Sequence, residues 1–517
     1  MFLQGEKKGP YKLNKALNVE WEDGFMSKYI ILLLFVLLMV AIGIYSRKKV
    51  SSVDDFFLGG RQMGPWISAF AYGTTYFSAV IFIGYAGRTG WNFGISGVWI
   101  GIGNAVLGSF LAWKVLAKKT RVMTHDMHAS TMPEFFEKRY GSKALRVVTA
   151  LVIFIFLVPY SASVYQGLGY LFEIVFHVPF IYCMAAMAVL TGIYVILGGY
   201  VATALTDFFQ GIIMIVGLVL MVLFVVYNPA VGGFSEGIER LSKIPNDGPA
   251  LVSIFSGSPL NLFALVILTS FGTWGLPQMV HKFYAIRDEK AIKTATIVAT
   301  AFAGLISCGA YFTGAFGRLF LNNTVPLGAN GQPNLDLVMP QILMKALPDY
   351  MLGIIVVLVL SASMSTLSSL VLVSSSAISM DLVKGVIAPN IKNDKEMLLM
   401  RILCAVFVAF SFFVAVTPNA ILTLMSFSWG TVAGAFLAPF LFGLYWKGAN
   451  KYGAWAGFIC GISCSVGGAI IYKMNAGVSV NIGAISMIVS LIAVPTVSKI
   501  ASFFMEPEKV SEPDIAV

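Results

Sequence analysis

Long apolar runs constrain this chain more than any other feature. A helix crossing the ~30 Å hydrocarbon core of a bilayer needs about 20 mostly apolar residues. Thirteen stretches meet that description, at 29–46, 64–88, 95–116, 144–172, 180–197, 204–227, 260–283, 292–317, 346–380, 400–417, 420–445, 452–472 and 481–504. They predict an all-α polytopic membrane protein with about 13 transmembrane helices. The charge content agrees. Only 12% of the 517 residues are charged, half the ~25% of a soluble domain. That excludes a string of soluble globules, a disordered chain and a nucleic-acid-binding domain. The polar segment before the first run is not a cleavable signal, since the apolar core is too long and no small-residue cleavage site follows.

The net charge of +10 invites an anionic partner, but charge placement gives a simpler account. Thirteen spans put the termini on opposite sides. With the N-terminus outside, 24 of the 35 Lys and Arg, Lys282 among them, fall in inner segments. The positive-inside rule therefore favours an external N-terminus and a cytoplasmic C-terminus. Two outer loops, 228–259 and 318–345, are long. The inner segment 118–143 is polar with an amphipathic stretch, as in an interfacial helix. The acidic tail after Phe504 is expected to be disordered. Cys183, Cys308, Cys404, Cys460 and Cys464 lie in apolar runs and read as small core residues. The four histidines form no zinc or proton-relay pattern.

Function in a membrane shows as irregular backbone, which lipid tolerates only where it lines a cavity. The second span carries a polar knot, Gly73-Thr74-Thr75-Tyr76-Phe77-Ser78. The seventh is interrupted by Gly272, Gly275 and Pro277. Five spans separate them, so the breaks match in two five-helix halves, and an odd repeat length inverts the second half. Paired interruptions of this kind point to a transporter site at the midplane; the competing reading is that Gly and Pro are common in membrane helices.

The ninth span is rich in hydroxyls. Ser369 lies three residues after Thr366 and four after Ser365, so the three hydroxyls fall on one face, a ligand set for a hard monovalent cation. Packing of small residues between helices is the alternative. Asp207 starts the sixth span, where a carboxylate needs a partner or a water path; otherwise it caps the helix at the interface.

Four segments carry a family resemblance: DDFFLGGRQMGPW (54–66), GGYVATALTDFFQG (198–211), SASMSTLSSLVLVSSSAISMDL (361–382) and SWGTVAGAFLAPFLFGLYWKGANKYGAWAG (428–457). The chain resembles the sodium/solute symporter family, most nearly its bacterial sodium/proline branch. The resemblance implies a LeuT-type fold of inverted five-helix repeats: an external segment 1–28, an extra helix 29–46, repeats at 64–227 and 260–445, two further helices in 452–504 and a cytoplasmic tail 505–517. It implies a first sodium site from the carbonyls of Thr74 and Phe77 with Ala362, Ser365 and Thr366. A second sodium site, which some members carry, would use Asp207, Ser365, Ser368 and Ser369.

Substrate contacts implied on the same basis are Thr75, Tyr76, Tyr160, Gln166, Trp274, Gln278 and Trp429. Arg61, Arg88, Gly272, Gly275 and Pro277 would serve gating or coupling. Arg88 is either a receiver for a substrate carboxylate or an interfacial anchor. Departures are visible. Tyr76 stands where the proline branch has Asp, and Thr269 where it has Trp. The implied activity is sodium-coupled import of a small solute, proline favoured, through the plasma membrane by a monomer. A monocarboxylate, a pantothenate-like acid or a sugar are the alternative substrates. A channel lacks its filter loops and charged rings here, and the short tail leaves no room for a sensor kinase. No nucleophile–base or metal set suggests an enzyme.

Overall fold

The computed structural model describes residues 23–47, 53–328, 331–417 and 420–504. Most of the first 28 residues, and the tail from Met505, lie outside them. Among the described residues there are no strands, only two isolated bridges. Among the described residues, ten helices are long and apolar enough to cross a membrane, or eleven when the bent pair Pro259–Gly275 and Pro277–Ala285 counts as one span.

The sequence count of thirteen differs from this at two places. Val80–Asp126 is one helical run of 47 residues, more than twice the length a bilayer needs at 1.5 Å per residue. It turns at Gly94, whose φ of 58° and ψ of −134° are not helical. The helix Phe180–Val226 has the same length and a similar device, Gly199 at φ 52° and ψ −149°. Its first part, Phe180–Ile196, is a shorter apolar helix of 17 residues.

Burial sorts the helices into centre and rim. In the most apolar stretch of Asp349–Ile387, and again of Ile421–Tyr445, 94% of residues are buried, against 28% for Lys28–Ser46. The first two are therefore enclosed by protein, and the third presents its leucines outward. The Ser-rich helix Asp349–Ser376, called the hydroxyl helix below, packs against Phe180–Val226, Lys143–Phe176 and the first broken helix.

Polar contacts close both ends. On one side Arg88 Nη2 donates to Asp336 Oδ1 at 3.2 Å, while Asp336 Oδ2 accepts from the Ile421 amide at 3.1 Å. On the other, Arg146 joins Asp381 at 2.9 Å and Glu137 at 2.8 Å, and Thr131 Oγ1 donates to Asp381 at 2.7 Å. The segment expected to be interfacial holds a helix, Met132–Tyr140, capped by Thr131. Phe135, Phe136 and Tyr140 are buried in the bundle, so its apolar face meets protein: Phe135 packs edge-on to Phe440.

Candidate functional site

The first broken helix begins at Pro65, whose fixed φ suits a first turn, and runs to Tyr76. It stops because Phe77 is extended (φ −108°, ψ 105°). Helix resumes as wide turns over Val80–Tyr85 and continues through Ala86–Phe93. The Thr74 and Thr75 carbonyls thus fall in a last turn, where no intrahelical donor follows.

The hydroxyl helix meets them. Ser365 Oγ donates to Thr74 O at 2.9 Å, and Thr366 Oγ1 lies 3.1 Å from Thr75 O and 3.3 Å from Thr74 O. Both hydroxyls also lie 3.1 Å from Ala362 O. Three carbonyls and two hydroxyls, all fully buried, form an uncharged oxygen cluster of the kind unwound helices present to Na+. The sequence reading named Thr74 and Phe77. Thr75 O meets the Thr366 hydroxyl as well, and the Phe77 ring stacks on Tyr76 with centroids 4.3 Å apart.

Small-residue packing accounts for much of the remaining serine. Ser363, Ser375 and Ser376 donate to Val359, Val371 and Val373 of their own helix, a local satisfaction that needs no ligand. Ser368 does likewise, donating to Ser365 O at 2.9 Å.

Asp207 lies on the sixth span, eight residues past the Gly199 turn. Its side chain is fully buried and neither oxygen has a hydrogen bond, so it is not an interfacial cap. The charge facing it is Lys282, with Nζ 3.9 Å from Asp207 Oδ2. The sequence counts Lys282 among the cations of the inner segments, at the end of the seventh span. It sits on Pro277–Ala285, 1% exposed. Its Nζ donates to Ser369 Oγ at 3.0 Å, and Ser369 Oγ lies 2.9 Å from Thr75 Oγ1.

Above the break lies a small cavity lined mainly by aromatic rings. Tyr76, Tyr160 and Trp429 line it, with Tyr160 edge-on to Trp429 at 5.6 Å. The sequence missed Asn104, Tyr85 and Tyr311 on its wall. Asn104 was findable as the sole amide in the apolar run 95–116; its Oδ1 accepts from Thr269 at 2.9 Å and Ser270 at 3.2 Å.

Four expected substrate contacts are elsewhere. Thr75 faces Ser369. Gln166 donates to Ala415 O and Thr417 O, at the end of Asn393–Val416. Trp274 donates to Leu107 O at 3.0 Å. Gln278 is buried in the second half of the other broken helix. Arg88 is paired with Asp336 outside the cavity, and Arg61 donates to Ala129 O at 2.7 Å on the opposite side.

The second broken helix bends by 46° at Leu276. A side chain at Gly275 would come within 2.7 Å of the Leu437 backbone, and one at Gly272 within 2.8 Å of the Trp429 ring. Pro277 restarts the helix at its first position.

Comparison with known proteins adds to this geometry. A family model described as the sodium:solute symporter family matches residues 56–461. The sodium/proline symporter of Salmonella typhimurium is 32% identical over 429 residues, covering 82% of this chain and 84% of that one. The Bacillus subtilis osmoregulated proline transporter is 29% identical over 433 residues, 83% of this chain and 86% of that one. Among solved structures, a substrate-bound, outward-open Na+-coupled sialic acid symporter matches with a TM-score of 0.75 at 18% identity, over 92% of this chain and 97% of that one. A closed nucleobase-cation-symport-1 family transporter matches at 0.50 and 14% identity, over 88% and 96%. These likenesses show the shared LeuT-type fold.

Proposed function

The chain belongs to the sodium:solute symporter family, and from that premise we propose that it imports a small zwitterionic amino acid, proline first, across the plasma membrane. It is a multi-pass sodium-coupled symporter and not an enzyme. The observation that carries the rest is the junction of the first break with the hydroxyl helix. Na+ at Thr74, Thr75, Ala362, Ser365 and Thr366 would bridge two elements already joined there by hydroxyl–carbonyl bonds. It would fix the break, and with it Tyr76 and Ser78 on the cavity wall.

No charged side chain lines that cavity. A net-neutral solute therefore enters without burying an uncompensated charge. The half-helix starting at Val80 turns its positive end toward the break, where a zwitterion's carboxylate would be stabilised. A free monocarboxylate lacks a counter-charge here, and the sialic acid symporter and proline transporters bracket the size range by their names alone. The repeats would be 64–227 and 260–445, with the N-terminus external, since the positive-inside count supports that orientation. A monomer holds the whole cluster.

The energetics suffice. One charge crossing 100 mV supplies about 2.3 kcal/mol, and a tenfold Na+ gradient about 1.4. Together they support roughly 500-fold accumulation per Na+. Competition of Na+-driven uptake in proteoliposomes by amino acids, carboxylates and sugars tests the reading. Proline and its small relatives should compete; competition by carboxylates or sugars alone would reject it.

A further inference from the structure

Lys282 is the charged group in the bundle core for which the proposed transport cycle has no use. It occupies a built pocket. Its Nζ lies 3.0 Å from Ser369 Oγ, 3.9 Å from Asp207 Oδ2 and 4.9 Å from the centre of the Tyr200 ring. A hydroxyl, a carboxylate and a ring face are what a desolvated cation requires. Both Asp207 oxygens lack hydrogen bonds, so the balance of that carboxylate rests on the ammonium.

The same place is where a second Na+ would go if Asp207, Ser365, Ser368 and Ser369 formed an ion site. Two of those four groups already face the ammonium: Ser369 accepts from Lys282, and Asp207 Oδ2 lies 3.9 Å from it. As an ion pair, Asp207 and Lys282 sum to zero charge. A Na+ entering beside them would meet a like charge in a medium that screens poorly.

We propose that the Lys282 ammonium is a tethered cation standing in for a second Na+, which fixes coupling at one Na+ per solute. This rests on the reading that the mobile Na+ binds at Thr74, Thr75, Ala362, Ser365 and Thr366. The two cations are linked. Lys282 holds Ser369, Ser369 meets the Thr75 hydroxyl, and the Thr75 carbonyl accepts from Thr366. The tethered charge thereby steadies the second broken helix against the hydroxyl helix at all stages, while the mobile ion comes and goes next to it.

The test is ²²Na+ binding to the purified full chain, with Na+-driven uptake alongside. The unaltered chain should bind one Na+ per molecule, with a Hill coefficient near one. Lys282→Ala vacates the pocket and leaves the Asp207 carboxylate free to take a Na+ as its counter-charge. It should bind two Na+ per molecule, with the Hill coefficient for uptake rising toward two. A further exchange, Lys282→Ala with Asp207→Asn, should return the count to one. Reversal-potential measurement on the unaltered chain requires no variant to fold, and should give one Na+ per solute. Two Na+ bound with Lys282 intact, or a folded Lys282→Ala chain still binding one, overturns the inference. No Na+ bound by the unaltered chain overturns the first-site reading and the inference with it, whereas Thr366→Ala losing Na+ binding while Lys282→Ala gains none overturns the inference alone.

Discussion

The two broken helices make an instructive pair. Both start at a proline and both are interrupted partway along. Their breaks meet different things. The first, at Phe77, turns the carbonyls of Thr74 and Thr75 onto Ser365 and Thr366. The second, at Leu276, has Gly275 against the backbone of Ala433 and Leu437 and Gly272 against Trp429. No hydroxyl of the neighbouring helix serves it. One interruption presents carbonyls to hydroxyls, and the other supplies room for close packing with a bend of 46°. A broken helix is therefore a permissive feature: the partner helix decides its use.

The largest test of that contrast is the double change Ser365→Ala with Thr366→Ala. It removes both side-chain ligands and leaves the carbonyls without donors. At about 1–1.5 kcal/mol per lost interaction, half-saturation by Na+ should rise on the order of 100-fold, read from uptake against Na+ concentration. An unchanged Na+ dependence would make the first break a packing device like the second.

Next in size is Gly275→Val. Overpacking against Leu437 should cost about 1–3 kcal/mol of stability, with transport reduced and Na+ binding retained. Loss of Na+ binding with an unchanged melting temperature would erase the distinction from the other side.

A smaller effect is expected for Tyr76→Phe, which deletes the 2.6 Å bond from Tyr76 Oη to Thr269 O. That bond ties the end of the first break to the helix before the second. At about 1 kcal/mol, solute half-saturation should shift a few-fold while Na+ half-saturation stays put.

Smallest of all is Asp288→Ala, beyond the second break. Asp288 Oδ1 accepts from the Ala291 amide at 2.7 Å and caps Glu289–Ala315. That bond and Arg287 hold its carboxyl below the usual carboxylate range. A depressed folded-state pKa stabilises above the unfolded value, near 4, and the gain is lost as pH falls through the folded value. Removing Asp288 should slightly lower the melting temperature at neutral pH, less so in acid, with transport untouched.

Both breaks were legible in the sequence because Gly, Pro and clustered hydroxyls interrupt apolar runs that lipid otherwise keeps regular. The hydroxyl face of Ser365, Thr366 and Ser369 was legible for a similar reason, since helical period places those positions together. The aromatic cavity was half legible. Tyr76, Tyr160 and Trp429 were nominated, whereas Asn104, Tyr85 and Tyr311 come from other helices and converge only in space. Gln166 and Gln278 were polar residues in apolar spans, the same signal that marks Asn104. Gln166 meets helix-end carbonyls instead, and Gln278 is buried away from the cavity wall.

By itself the sequence determined that this chain is a helical membrane protein, where its helices fail, and which helix carries the hydroxyl face. Those properties follow from local composition and from the 3.6-residue period. The tertiary structure alone decided which charges meet. Asp207 and Lys282 are separated by 75 positions, and a lysine beside an inner loop looks like any other topology signal. Only the folding of Pro277–Ala285 against the hydroxyl helix puts that ammonium within 3.9 Å of Asp207, because helices distant in sequence meet only when the bundle closes.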